Sequence, residues 1–175
     1  MNLRGDFSLT SGEKVYIAVG QKGVDSTSEG GGGGGGTFVV KKSSGYSNAQ
    51  VSSILVIAAG GAGAPYDNSY GQAGHGQHTQ SGNGHGGSSQ KDHSNEHAGG
   101  GGGFYSSGSD TDKVEGGQGF RQGLVGGECS DGSNGGFGGG GCQYSDGSPG
   151  AGGYTGGRGE AGPTHNGGNK AYTVV

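Results

Sequence analysis

Leu3, Phe7 and Leu9, then Val15, Ile17 and Val19, all stand at odd positions on either side of Ser11-Gly12. This is an alternation of period two, repeated across a turn, and it predicts a hairpin within residues 1–24 that buries its odd-numbered face. Thr37 to Lys42 predicts a third strand. Ile54-Leu55-Val56-Ile57-Ala58-Ala59 is apolar on both faces and predicts the central strand. Ala171 to Val175 is expected to close the sheet from the far end of the chain. No stretch shows helical periodicity, so the expected class is all-β.

Glycine tracts interrupt this pattern. Gly30 to Gly36 are seven consecutive glycines leading directly into Thr37, and Ala59 leads directly back into Gly60-Gly61. Every third position from Gly117 to Gly168 makes 18 slots, of which 14 are glycine, far more than in either other phase. A period of three belongs to polyproline-II-type helices, in which every third residue faces the same neighbour and must be glycine if backbones are to touch. Collagen shares the period but needs an unbroken repeat and about 15–20% proline; three prolines among 175 residues reject it. The remaining reading is a bundle of short polyglycine-II helices within one chain. Its period is carried by Gly132, Gly135, Gly138, Gly141, Gly147, Gly150, Gly153, Gly156, Gly159 and Gly162. The triplets from Gly147 to Gly162 would span on the order of 50 Å if straight, more than the roughly 40 Å width of a compact domain of this size. They are therefore expected to turn. Ser130-Asp131-Gly132-Ser133 and Ser145-Asp146-Gly147-Ser148 repeat one turn-forming tetrapeptide and read as corners. Phe104, Phe120, Leu124 and Phe137 are expected to line the seam between bundle and sheet.

The whole is expected to be one domain, 1–175, with strands mainly in 1–59 and 170–175, a polar excursion over 64–98, and the bundle over about 99–169. With 51 glycines the chain is poor enough in core-forming residues to suggest disorder, which a net charge of only −4 does not, so composition alone is ambiguous and the clustering of apolar residues towards the two ends decides more. The same near-neutral balance gives no electrostatic footprint for a phosphate backbone or an anionic membrane, so nucleic acid and membrane insertion are not expected. Met1 to Asp6 does not read as a signal peptide. Cys129 and Cys142, an even pair in a turn-rich region, read as a disulfide and hence an oxidising, extracellular compartment. Two free thiols, or half of a metal site short of ligands, are the alternatives.

These residues together resemble the glycine-rich extracellular module of the anaplastic lymphoma kinase and leukocyte tyrosine kinase receptors. The resemblance runs through Gly5 to Leu9, Val15 to Gly23, Gly30 to Val40, Ile54 to Gly63, Gly99 to Phe104, and Gly135 to Cys142 with Cys129 upstream. It implies a small tumour-necrosis-factor-like β-sandwich carrying packed polyglycine helices, and a region that recognises a protein cytokine. Departures from the resemblance are expected as well: no kinase, membrane span or growth-factor-like module is read in this sequence, nor the family's further upstream strand and glycine segment.

Candidate chemistry is sparse. Arg4-Gly5-Asp6 matches an integrin-type tripeptide, but it is expected inside the first strand. His75, His78, His85, His93 and His97 cluster in the polar excursion, where a solvated loop is the ordinary reading and a metal site the special one. Gly82 to Gly87 matches a dinucleotide fingerprint by letter, without a strand before or a helix after it. Asp110 and Asp112 lack the further spaced acids of a calcium loop. No nucleophile motif or paired-carboxylate site is present, so no enzyme and no cofactor is expected. The expected role is a structural or adhesive extracellular module that forms homo-oligomers by strand addition at an edge carrying Phe7, Val39, Ile57 and Val174, or that binds a protein ligand. A receptor-ectodomain fragment is the first alternative, and ice binding on a flat glycine face the second.

Overall fold

A computed structural model describes residues 3–26, 30–42, 45–65, 82–92, 96–130, 133–145 and 147–160, and the backbone alone of 77–78 and 172–173. The described residues form strands, short 3-10 turns and long extended segments, with no α-helix. The largest sheet has three antiparallel strands in the order β1 (Val15–Ala18), β4 (Thr37–Lys41), β5 (Ile54–Ala58). Between β1 and β4 the chain makes a two-residue pair, β2 (Asp25–Ser26) with β3 (Gly30–Gly31). A second three-stranded sheet joins β7 (Gln90–Lys91), β8 (His97–Ala98) and β9 (Gln143–Tyr144), and β6 (Gln77–His78) pairs in parallel with β10 (Tyr172–Thr173). Tyr172 and Thr173 thus extend a different sheet from the one expected.

β-branched and aromatic residues account for β4 and β5, where Phe38 lies opposite Ile57 and Val39 opposite Val56. The sheet differs from the sequence expectation in two respects. β4, not β5, lies between two strands, because Val15 to Ala18 pair with Lys41 to Phe38. The first strand also buries its even-numbered face. Tyr16 and Ala18 lie across from Val40 and Phe38, whose side chains are fully buried, whereas Ile17 and Val19 are about two-thirds exposed. The turn at Ser11-Gly12 forms, with Glu13 N donating to Thr10 O at 3.0 Å, but residues 3–10 make no strand, and Phe7 and Leu9 are exposed.

The core sits where the sheet meets the glycine-rich half. Phe38, Val40 and Ile57 pack against Phe104, Phe120 and Leu124, with Tyr16, Ala18, Tyr105 and Tyr154 at its margin. Phe104 stacks on Phe120 at 5.2 Å between ring centres, and Phe120 lies 5.4 Å from Phe38. Three of the four expected seam residues are therefore in place; Phe137 is exposed. Arg121 ties the seam to the turn before β5. Its guanidinium lies 4.5 Å from the Tyr105 ring centre, and its Nε donates to Ala49 O at 2.9 Å.

Candidate functional site: the glycine segments and the open sheet face

Segment 31–36 carries a distinctive hydrogen-bond order. Gly31 N donates to Ala64 O, Gly32 N to Val24 O and Gly33 N to Gly141 O; Gly34 N then donates to Gly61 O, Gly35 N to Gln21 O and Gly36 N to Gly138 O, all at 2.8–3.0 Å. Three neighbours are visited in turn, and each third donor returns to the same neighbour, three residues earlier along it. Residues 99–104 repeat the order. Gly99 and Gly102 donate to Cys142 and Gly139, Gly100 and Gly103 to Ser109 and Ser106, and Gly101 and Phe104 to Gly157 and Tyr154. A β-strand directs its donors to two sides, so a period of three is a different arrangement. Main-chain groups deprived of water are satisfied in this way by other main chain.

Side chains are excluded by the same packing. A Cβ on Gly35 would overlap Phe137 O, one on Gly101 would overlap Ala151 O, and one on Gly156 would overlap Gly101 O. The residues of the expected glycine period take part: Gly135 donates to Gly127, Gly138 to Leu124, Gly141 to Gly150, Gly150 to Gly99, Gly153 to Gly102, Gly156 to His85 and Gly159 to Ser88. A Cβ on Gly147 would overlap His97 O. Gly132 and Gly162 lie outside the described residues, as do Asp131 and Asp146 of the two expected corners. Ser145, in the second corner, has a left-handed φ of 60°, and Gly138 and Gly139 turn the chain with φ of 104° and 85°. The triplets from Gly147 do bend, at residues 153–155.

The disulfide between Cys129 and Cys142 is formed, with a Cα separation of 5.9 Å. Cys142 is fully buried, and its main chain links Gly99 N to Glu115 O through bonds of 2.9 and 3.2 Å.

The remaining candidates separate. Arg4 and Asp6 lie outside any strand, highly exposed, and their side chains face each other at 3.7 Å. Residues 82–92 and 96–98, expected to be a solvated excursion, are built into the glycine segments and the second sheet. Gly84 there bends the chain with a φ of 75°, and Gly84, His85 and Gly87 are hydrogen-bonded to Tyr105, Gly156, Gly101 and Ser109 instead of opening a helix. His85 rests against Tyr105, 5.8 Å between ring centres. His75 and His93 lie outside the described residues. Among the described residues no group of three His, Cys, Asp or Glu comes together. Asp110 accepts from Gly116 N at 2.8 Å, and Asp112 accepts from Lys91 Nζ at 2.9 and 3.0 Å.

His97 is fully buried, with Nδ1 2.7 Å from Thr111 Oγ1 and 3.4 Å from Asp112 Oδ1, and with Tyr144 edge-on to its ring. Burial pushes its pKa below the ordinary imidazole value, against the opposing pull of Asp112. The Lys91 hydrogen bond holds Asp112 below the usual carboxylate range. Both shifts have the same sign for stability: the unfolded chain takes up these protons before the native one. Stability is complete above the unfolded histidine value of about 6.5 and falls as pH drops below it. Thermal unfolding at pH 7.5 and pH 5.0 is expected to show a lower midpoint at pH 5.0, and His97→Gln is expected to narrow that difference. An unchanged difference in the variant would assign the pH dependence to other groups.

The face of the first sheet opposite the core is open along β1. Ile17 is 65% and Val19 64% exposed, and Phe7 and Leu9 lie exposed before them. Of the expected edge residues, Val39 is paired on both sides, with Ile17 and Val56. Ile57 lies on β5, whose second edge has no partner strand among the described residues, and its side chain is in the core. Val174 lies outside the described residues. No helix of the described residues is long and apolar enough to cross a membrane. These features define a glycine-rich chain of strands and extended segments with one disulfide. Neither a protein-family model nor a curated protein matches it.

Proposed function

We propose that the chain is a non-catalytic extracellular module in which packed polyglycine-II helices support a small sheet that binds protein, foremost further copies of itself. The exposed apolar face beside β1, the outer strand of its sheet among the described residues, carries this reading. Ile17 and Val19 together would bury enough surface to favour association by several kcal/mol at about 1.5–3 kcal/mol per side chain, and β1 is the outer strand of its sheet among the described residues, the position at which strand addition occurs. The disulfide suits an oxidising compartment. The threefold hydrogen-bond order and the exclusion of Cβ atoms support polyglycine-II geometry, and the open face is where the second layer of a tumour-necrosis-factor-like sandwich would lie. The resemblance to the anaplastic lymphoma kinase and leukocyte tyrosine kinase receptors supports a second use of the same face, to hold a protein ligand as part of a receptor ectodomain.

The test is sedimentation velocity and negative-stain microscopy of the oxidised protein across a concentration series. Oligomers or filaments that grow with concentration are expected. The double variant Ile17→Lys, Val19→Lys is expected to weaken assembly at least tenfold, each tenfold being about 1.4 kcal/mol, without changing the circular dichroism. A wild-type protein that stays monomeric throughout would overturn self-assembly.

A further inference from the structure

Around segment 31–36 five of six directions are filled. Its N–H groups point in turn at 60–64, 21–24 and 138–141, and Gly33 O and Gly34 O accept from Gly136 N and Gly152 N. The third carbonyl row, Gly32 O and Gly35 O, receives no main-chain donor from the described residues. That direction opens into a groove of about 640 Å³, floored by 30–35 and walled by 20–26 and 60–65.

The walls are unmatched too. In a threefold segment, neighbouring directions alternate between N–H and C=O every 60°. Since Gly61 O and Ala64 O face the floor segment, the N–H groups of the same two residues turn toward the groove, and neither donates to a described residue. On the opposite wall Gly23 N stands in the same relation, also without an acceptor among the described residues. The groove therefore presents donors on one side, acceptors at the floor and donors on the other, with floor acceptors and one set of wall donors each three residues apart. A threefold segment lying in it would present C=O, N–H and C=O to these three surfaces, the complementary order.

We propose that this groove is a docking site for an extended glycine-rich segment of a partner protein, with glycine at every third residue and N–H groups free to reach Gly32 O and Gly35 O. The proposal rests on the polyglycine-II reading of the surrounding segments. Recognition is chiefly by main chain, because 12 of the 17 lining residues are glycine or alanine and the charged pair among the others, Lys22 with Asp25, is satisfied internally. Glycine is required of the partner wherever its side chains would meet the floor, as it is at Gly20 and Gly23, Gly60 and Gly63, and Gly138 and Gly140, where a Cβ would overlap carbonyls of 31–36. Proline at the donor position would remove the N–H that the floor needs.

Gly31 gives a clean test. Among the described residues its Cβ position is clear of main chain, with Asp25 Oδ1 the nearest atom at 3.7 Å, and the equivalent position on Gly34 is flanked by both walls, at Gly61 and Gln21. Gly31→Ala thus puts a methyl group into the groove without disturbing the fold. The probe is the synthetic dodecapeptide (Gly-Gly-Asn)4, titrated into 15N-labelled protein. Peptide binding is expected to slow hydrogen exchange at Gly23, Gly61 and Ala64, and Gly31→Ala is expected to weaken it at least tenfold. No protection at millimolar peptide, equal binding by Gly31→Ala, or protection confined to β1 would each overturn the proposal. Protection of the same amides by raised protein concentration alone would also overturn it, by making a second copy the occupant. If the amides of 31–36 keep partners of period three while peptide fails to bind, the groove assignment falls and the polyglycine-II reading stands.

Discussion

Alanine at Gly35 is expected to cost at least about 3 kcal/mol, the upper part of the range for overpacked interiors. For a domain of this length that is a fall of about 6–12 °C in melting temperature. The added Cβ would overlap the carbonyl of Phe137 and approach Gly138 Cα to 2.7 Å. Neither obstacle is a flexible side chain. Both belong to the main chain of 137–138, which is fixed in turn by Gln21 N on Phe137 O and by Gly138 N on Leu124 O. Relief of the overlap would separate two segments and leave buried N–H and C=O groups unpaired, a further loss of about 1–3 kcal/mol for each. Gly31, four residues earlier in the same run, meets nothing closer than 3.7 Å among the described residues. Alanine there is expected to be neutral, or to stabilise by about 0.4–1 kcal/mol through the less flexible unfolded chain. Urea unfolding of the two variants side by side checks both statements. Equal stabilities would mean that the segments are not in contact at Gly35.

The second large effect is expected from the disulfide. Opening the link between Cys129 and Cys142, 13 residues apart in sequence, should cost about 3 kcal/mol of unfolded-chain constraint. Ordering glycine loses more backbone entropy than ordering any other residue, so a bundle of glycine segments depends on whatever restricts the unfolded chain. The bridge lies beside points where several segments meet: Gly99, Glu115 and Cys142 are linked through main-chain bonds, and Asn134 Oδ1 accepts from Cys129 N at 2.9 Å. The Cys129→Ser, Cys142→Ser variant is expected to melt about 6–12 °C lower, with its first losses of amide protection in 99–102 and 133–141. A variant that melts with the oxidised protein would show that the bridge adds nothing the bundle lacks.

β4 and β5 were legible in the sequence because runs of β-branched residues bounded by glycine have few other uses. The glycine period from Gly117 was legible because a Cβ excluded at every third residue leaves a mark in composition. Which segments meet was not legible: Gly33 carries no side chain to signal that its neighbour is Gly141, and any glycine run would read alike. The buried face of β1 was misread because period two was counted on aliphatic residues alone. Tyr16 and Ala18 face the core, and Ala18, being small, gives no hydrophobic signal beside Ile17 and Val19. His97 reads as part of a polar run, and its burial follows from pairing with Tyr144, 47 residues away, which no local pattern announces. Arg121 was likewise missed, since its bond to Ala49 joins residues 72 apart.

Successive amides of the glycine segments bond to three different neighbours. Long-range HNCO spectroscopy, which detects scalar coupling across individual N–H···O=C bonds, measures this directly. Couplings are expected from Gly33 to Gly141, Gly34 to Gly61 and Gly35 to Gln21, with Gly36 returning to the chain that Gly33 contacts, at Gly138. Couplings that alternate between two partners would make these residues β-strands, and their absence at all four amides would contradict the packed bundle.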